Sequence, residues 1–249
     1  MNTKIAFLDG RPALACALAC LVACALSFAG AASGNPWLLV LLNTSVPVAL
    51  MFHFLHRGRV KWAAGALLAW VYTLGACMVL WTALMPEKAE AAVFHGAEYR
   101  DEMSRWIETG VGAEGSPSQF LPQHLLHLAV FAAASIVSAG VLGLLMGVLL
   151  VDAMAFYAGS IILAAQNKPL AILAAWHPWS LFRMAGFILL GVSIASFVHQ
   201  RARGGKPDWR EHGGRLAWAA GLLLCDILMK SALAPAWRAG ERHAVEIVY

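Results

Sequence analysis

Long runs without a charged residue dominate the chain. Residues 13–55 contain no Asp, Glu, Lys or Arg, and neither do 62–86, 115–151 or 184–200. Residues 153–182 carry only Lys168. A helix needs about 20 apolar residues to cross a bilayer. The run 13–55 therefore holds two helices, broken near Gly34-Asn35-Pro36. The pattern predicts helices at 13–33, 37–55, 62–84, 122–145, 148–166, 178–198 and 216–236. The join between the fourth and fifth falls near the Gly140/Gly143/Gly147 series or at Asp152. The expected fold is all-α: a polytopic transmembrane bundle of six or seven helices, forming one integral membrane domain over residues 1–249.

One stretch breaks the apolar pattern. Residues 85–121 hold seven acidic and three basic side chains. Val93, Phe94, Ala97, Met103, Trp106 and Ile107 approximate one stripe of a helix over about 91–108. His95, Glu98, Glu102 and Arg105 share another face. This pattern predicts an amphipathic helix lying along the membrane interface, with Trp106 anchored in the headgroup layer. Gly110, Gly112, Gly115 and Pro117 then form a loop into Pro122, a residue suited to a first helical turn.

Composition agrees with the pattern. Of 249 residues, 60% are hydrophobic and 13% charged, and mean hydropathy is +0.68. So few charges cannot cover the surface of a soluble domain. A secreted mini-protein, a disordered tail, a coiled coil and a nucleic-acid binder are disfavoured. The formal charge of +4 is modest. Its distribution is more informative. Lys4, Arg11, Arg57, Arg59, Lys61, Arg201, Arg203, Lys206, Arg210 and Arg215 fall on one side of the predicted topology. Lys88, Arg100, Arg105, Lys168, Arg238 and Arg242 fall on the other. The Lys/Arg-rich side is expected to be cytoplasmic, placing the N-terminus inside and the 85–121 insertion outside an inner (plasma) membrane. Trp37, Trp62, Trp81, Trp179, Trp218 and Trp237 lie near predicted helix ends, whereas Trp70 must pack inside. Lys4 and Arg11 before an apolar stretch also suit a cleaved signal peptide, but the apolar run continues directly into a second span, which favours an uncleaved first helix. The five cysteines lie in apolar stretches and read as free thiols; Cys16, Cys20 and Cys24 share one helix face.

Candidate chemistry is concentrated on the insertion side. His124 and His127 are neighbours on one helix face. Folded against the 91–108 helix, they would meet His95, Glu98 and Glu102. Imidazole and carboxylate are ligands for zinc or another divalent metal, so His95, Glu98, His124 and His127 form a candidate metal set. His124, His127, Glu98 and Glu102 form the corresponding catalytic set, with the metal activating water. The spacing lacks the glutamate of His-Glu-x-x-His, since Leu125 stands in its place. Polar anchoring at the interface is the plainer account.

Ionisable groups within spans are costly and mark structure or function. Asp226 and Lys230 are one turn apart and are expected to neutralise each other, or to serve a proton or ion relay. Arg183 is expected to snorkel toward the surface or to meet a lipid phosphate. Asp152 reads as a turn residue or as a buried acid paired with another helix. Asn43-Thr44-Ser45 with Pro47 predicts a kink, or a discontinuous binding helix. Trp176-His177-Pro178-Trp179 opens the sixth helix on the His124/His127 side.

No Gly-x-Ser-x-Gly, Walker A or Glu-Glu-x-x-x-Arg signature is present. The glycine-rich fourth and fifth helices, followed by His177-Pro178-Trp179-Ser180 and another apolar helix, faintly resemble the stage II sporulation protein M family. The likeness rests on composition and spacing and carries no residue role. The expectation is a membrane component embedded in the lipid bilayer that binds a partner protein, lipid or small solute through its outer face, the partner being another membrane or extracytoplasmic protein. Its alternatives are a membrane-embedded metal-dependent hydrolase using the His/Glu cluster and a small solute or ion transporter.

Overall fold

The computed structural model describes residues 11–112, 114–206 and 209–246. Lys4, counted in the charge asymmetry, lies outside the described residues. Helices account for nearly all of what is described: α1 (Pro12–Ser33), α2 (Pro36–His56), α3 (Val60–Leu84), α4 (Pro86–Ala92), α5 (Gly96–Thr109), α6 (Pro117–Val137), α7 (Val141–Ala164), α8 (Lys168–Ala174), α9 (Pro178–Ala202) and α10 (Trp209–Glu246). Seven of them, α1, α2, α3, α6, α7, α9 and α10, are long and apolar enough to cross a membrane. The protein is a multi-pass membrane protein built as a helical bundle.

Local chemistry sets the helix boundaries. Pro12, Pro36, Pro86, Pro117 and Pro178 occupy first turns, where a missing N–H costs nothing. The Asn35 and Asn167 side-chain oxygens accept from the Leu38 and Leu170 N–H groups at 3.2 and 3.1 Å. The α6–α7 join falls at Gly140, the first of the glycine series, and not at Asp152. It is a tight turn at Ser138–Gly140, with Ala139 at φ 50 and Gly140 at φ 94, so the two helices meet several residues before the expected bounds of 145 and 148. Asp152 consequently sits inside α7 rather than in a turn. Helix α2 runs unbroken through Pro47.

The spans alternate direction, so α4, α5, α8 and the end of α10 gather at one end of the bundle, here the insertion end. The turns 57–59 and 203–206 lie at the other, the basic end. One apolar core joins α1, α2, α3, α7 and α9, with Trp70 fully buried in it as expected. Close approaches use small residues: a Cβ on Gly159 of α7 would stand 2.6 Å from Thr82 of α3, and Cys24 of α1 touches Cys77 of α3. All five cysteines are free.

A second core lies at the insertion end. Met103, Trp106 and Ile107 of α5 pack with Tyr157, Trp179, Ala234 and Ala244. Trp106 is 2% exposed, so the amphipathic helix rests on protein and its tryptophan is not in the headgroup layer. Trp179 is likewise buried, whereas Trp37, Trp62 and Trp218 are exposed as belt residues would be. Helix α10 explains the difference. Its 38 residues reach roughly 57 Å at 1.5 Å per residue, well beyond a hydrocarbon core of about 30 Å. Its last turns, beyond the internal Pro235, are buried against Tyr157 of α7 and His177 at the start of α9, and α5 and α8 pack on them through Arg238 and Trp237.

Candidate functional site

One face of α10 carries Asp226, Lys230, Ala234, Trp237 and Glu241, each about one turn from the next. Each polar member reaches a different segment. Asp226 is fully buried and accepts two hydrogen bonds from Arg183 of α9, from Nε at 3.0 Å and from Nη2 at 3.1 Å. Nε2 of His124 on α6 lies 3.2 Å from the same carboxylate. Lys230, 1% exposed, donates to Glu114 at 2.8 Å and lies over the Phe120 ring. Trp237 donates to the Ala174 carbonyl of α8. Arg238 donates to the carbonyls of Trp106, Ile107 and Glu108 at the C-terminus of α5. Glu241 accepts from the Tyr157 hydroxyl at 2.8 Å and lies 2.9 Å from His177 Nε2.

Asp226 and Lys230 are thus paired across segments and not with each other, contrary to the expected intrahelical pair. Arg183 is turned inward onto Asp226 and does not snorkel. The reason is energetic. Each charge in a span needs a counter-charge, and cross-helix partners offer better geometry than a neighbour one turn away.

Glu114 enters this network from the 110–116 loop. The loop turns at Gly110, whose φ of 76 suits glycine, and the Gly115 N–H bonds the Gly112 carbonyl at 2.9 Å. Burial raises the Glu114 carboxyl, but the Lys230 and Arg183 charges outweigh it and hold the group below the usual glutamate value. Burial, reinforced by Glu114, raises the Tyr99 phenol, which stays neutral and able to donate.

In front of this network lies a cavity of about 750 Å³. Its polar end is formed by Tyr99, Glu102, Glu114, His124, His127 and Arg183. Its body runs down between the spans along Val40, Leu67, Val71, Leu144, Phe187 and Ile188. Gly140, Gly143, Gly147 and Gly191 also line it; a Cβ on Gly147 would meet open space, whereas one on Gly140, Gly143 or Gly191 would press on Ala195, Ser135 or Phe131. Trp37, Leu41 and Leu150 line it and are exposed on the bundle's flank. The cavity therefore communicates with the surface that faces lipid. Arg183 uses Nε and Nη2 on Asp226, leaving Nη1 free to donate toward an occupant.

His95, Glu102, His124 and His127 line this one cavity, and Glu98 does not. His95 and Glu98 lie 3.8 Å apart with side chains 84% and 73% exposed, and His124 is engaged by Asp226. Among the described residues, no group of three or more His, Cys, Asp or Glu side chains is placed to hold a metal ion. The sequence reading missed Glu114 and Tyr99 as members of the site. The one available signal was a carboxylate set among three glycines at the mouth of a span.

Compared with known protein families, with curated proteins and with solved structures, the chain shows no match.

Proposed function

We propose that this membrane protein binds an amphiphile drawn from the lipid phase, head in the Tyr99/Glu114/His124/His127/Arg183 end and chain in the apolar body of the cavity. The observation that carries the reading is the cavity itself: its volume falls within the range of ligand sites, and it is apolar with a few convergent polar groups at one end. The charges around that end nearly cancel. Arg183 and Lys230 stand against Glu102, Glu114 and Asp226, so the head expected there is neutral or zwitterionic and rich in hydrogen-bonding groups. The Lys/Arg asymmetry supports an inner-membrane location with the basic end cytoplasmic, which gives the site access to the outer leaflet.

Gly147 provides the test. It lines the cavity, and a Cβ there meets nothing within 4 Å. Gly147→Phe starts from a Cβ with open space around it and is expected to occupy part of the cavity. Purified parent protein is expected to carry a chain-bearing amphiphile by native mass spectrometry, and Gly147→Phe to lose it while folding normally. Equal occupancy of both proteins would overturn the reading.

A second reading is favoured by one observation: Glu102, Glu114, His124 and His127 share the cavity. A carboxylate and an imidazole beside a bound ester or amide are an acid–base pair for hydrolysis. Glu102→Gln separates the two readings, because it leaves binding intact and abolishes turnover only if the protein is a hydrolase.

A further inference from the structure

At the opposite, basic end, a smaller cavity of about 200 Å³ lies where α2 and α9 terminate. It is lined by Ser196, His199, Gln200, Arg203 and Lys206, with Leu55 and Val60 on its apolar side. Among the described lining residues there is no carboxylate. His199 Nε2 is buried without a hydrogen-bond partner. The His199 ring meets the His56 ring edge-on at 4.6 Å, and the carbonyl of that same His56 accepts from Arg203 Nη1 at 3.2 Å.

Basic residues at helix C-termini offset the negative end of the helix dipole. That accounts for His56 in the last turn of α2 and for His199 and Arg201 in the last turn of α9. It does not account for Lys206, which stands beyond the helix end. Nor does it account for a buried imidazole nitrogen left without a partner, which costs free energy unless something else meets it.

We propose that this cavity is a phosphate-binding site. The guanidinium of Arg203, the ammonium of Lys206, the imidazole of His199 and the hydroxyl of Ser196 are a donor set for phosphate oxygens. The volume accommodates a phosphate and the first atoms of its ester. The position matches the headgroup depth of a bilayer: His56 and Ala202 are the last residues of their spans, and Leu55 and Val60 provide the apolar contact an attached chain needs. Basic pockets between spans on the cytoplasmic side are a recurrent way of holding anionic lipid heads. The site shares no residue with the larger cavity and does not depend on what occupies it.

The test is isothermal titration of the full-length protein in an uncharged detergent, with dihexanoyl phosphatidic acid and inorganic phosphate as probes. Parent protein is expected to bind at least one of them. Lys206→Gln combined with Arg203→Gln is expected to weaken binding by about tenfold or more, the effect of removing two cations beside a phosphate. The exposed Lys206→Gln alone, which touches no packing, is expected to lose part of that. Arg59→Gln with Lys61→Gln removes the same charge from the same end outside the cavity and is expected to change little. Binding of both probes with similar strength identifies free phosphate as the ligand. Binding of the lipid alone identifies a lipid head. Absence of binding by either probe, or equal losses in the two charge-matched pairs, overturns the proposal.

Discussion

Arg183 and Asp226 form a two-pronged ion pair between α9 and α10, with the carboxylate fully buried and the guanidinium facing the large cavity. The pair both closes the helix interface and presents a cationic group to an occupant. Breaking such a pair from one side strands a charge, which costs about 3–5 kcal/mol, whereas replacing both partners by apolar residues is often neutral. Asp226→Asn is therefore expected to lower the thermal midpoint in detergent sharply. Arg183→Leu with Asp226→Leu should recover most of the stability and lose the bound amphiphile. A double variant as unstable as the single one would mean that the pair is not the source of the loss.

The Glu114–Lys230 pair sets an acid limit. The folded-state carboxyl lies below the ordinary glutamate value of 4.5. A group lowered in this way contributes stability above the unfolded value and loses it as pH falls through the folded one. The 110–116 loop is expected to hold at pH 5 and above and to loosen below about 4.5. Glu114→Gln should remove that dependence. Thermal midpoints of parent and variant measured from pH 7 to pH 3 check this, and parallel curves would refute it.

The bundle was largely legible in the sequence because a bilayer imposes a simple rule: charge-free runs of sufficient length become spans. All seven expected spans overlap a long apolar helix, and α1, α2, α3 and α9 match to within about four residues at each end. What was not legible depends on contacts between distant residues. Asp226 and Lys230 have the spacing of an intrahelical pair, yet their partners lie 43 and 116 positions away in the chain. Trp106 has the pattern of an interfacial anchor, yet Tyr157, Trp179 and the end of α10 bury it. The sequence pointed to His124 and His127 as a candidate metal or catalytic pair, whereas the groups that share their cavity, Glu114, Tyr99 and Arg183, come from a loop, from α5 and from another span. No local periodicity encodes that convergence.

Gly159 and Gly147 lie on the same helix and should respond in opposite ways. Gly159→Ala drives a methyl to 2.6 Å from Thr82, forcing α3 and α7 apart at a cost of about 1–3 kcal/mol. Gly147→Ala points into open space and should leave stability unchanged or slightly raised, because alanine favours helix. Chemical unfolding of both variants compares them directly. Equal effects would contradict the packing.

Glu241 holds the last turns of α10 against the bundle. It is fully buried, and Tyr157 and His177 bring α7 and the start of α9 to it. Glu241→Ala removes the acceptor for both, and each stranded buried group costs about 1–3 kcal/mol. The expected result is local: faster hydrogen exchange in 234–244, in α8 and in α5, with the 141–151 half of α7 protected as before. Unchanged exchange at α5 would show that Arg238 and the apolar contacts of Trp106 suffice without it.

Asn43 and Asp152 test the same reasoning in the middle of the bundle. Asp152 is 2% exposed, and both carboxyl oxygens accept from Asn43 Nδ2, at 3.0 and 3.1 Å. Among the described residues no cationic side chain pairs with it. An amide is a weak counterpart for a carboxyl group in so apolar a place, so the acid itself is the costly member and the amide its compensation. Asn43→Leu leaves the acid alone and is expected to destabilise by about 1–3 kcal/mol. Asp152→Asn keeps shape and hydrogen bonding while removing the ionisable group, and should be neutral or stabilising. Leucine at both positions should lie close to the parent, since a buried polar pair is often replaceable by an apolar one. The ordering of the three midpoints is the decisive measurement. If Asp152→Asn were as harmful as Asn43→Leu, the acid would have a role that the amide does not explain.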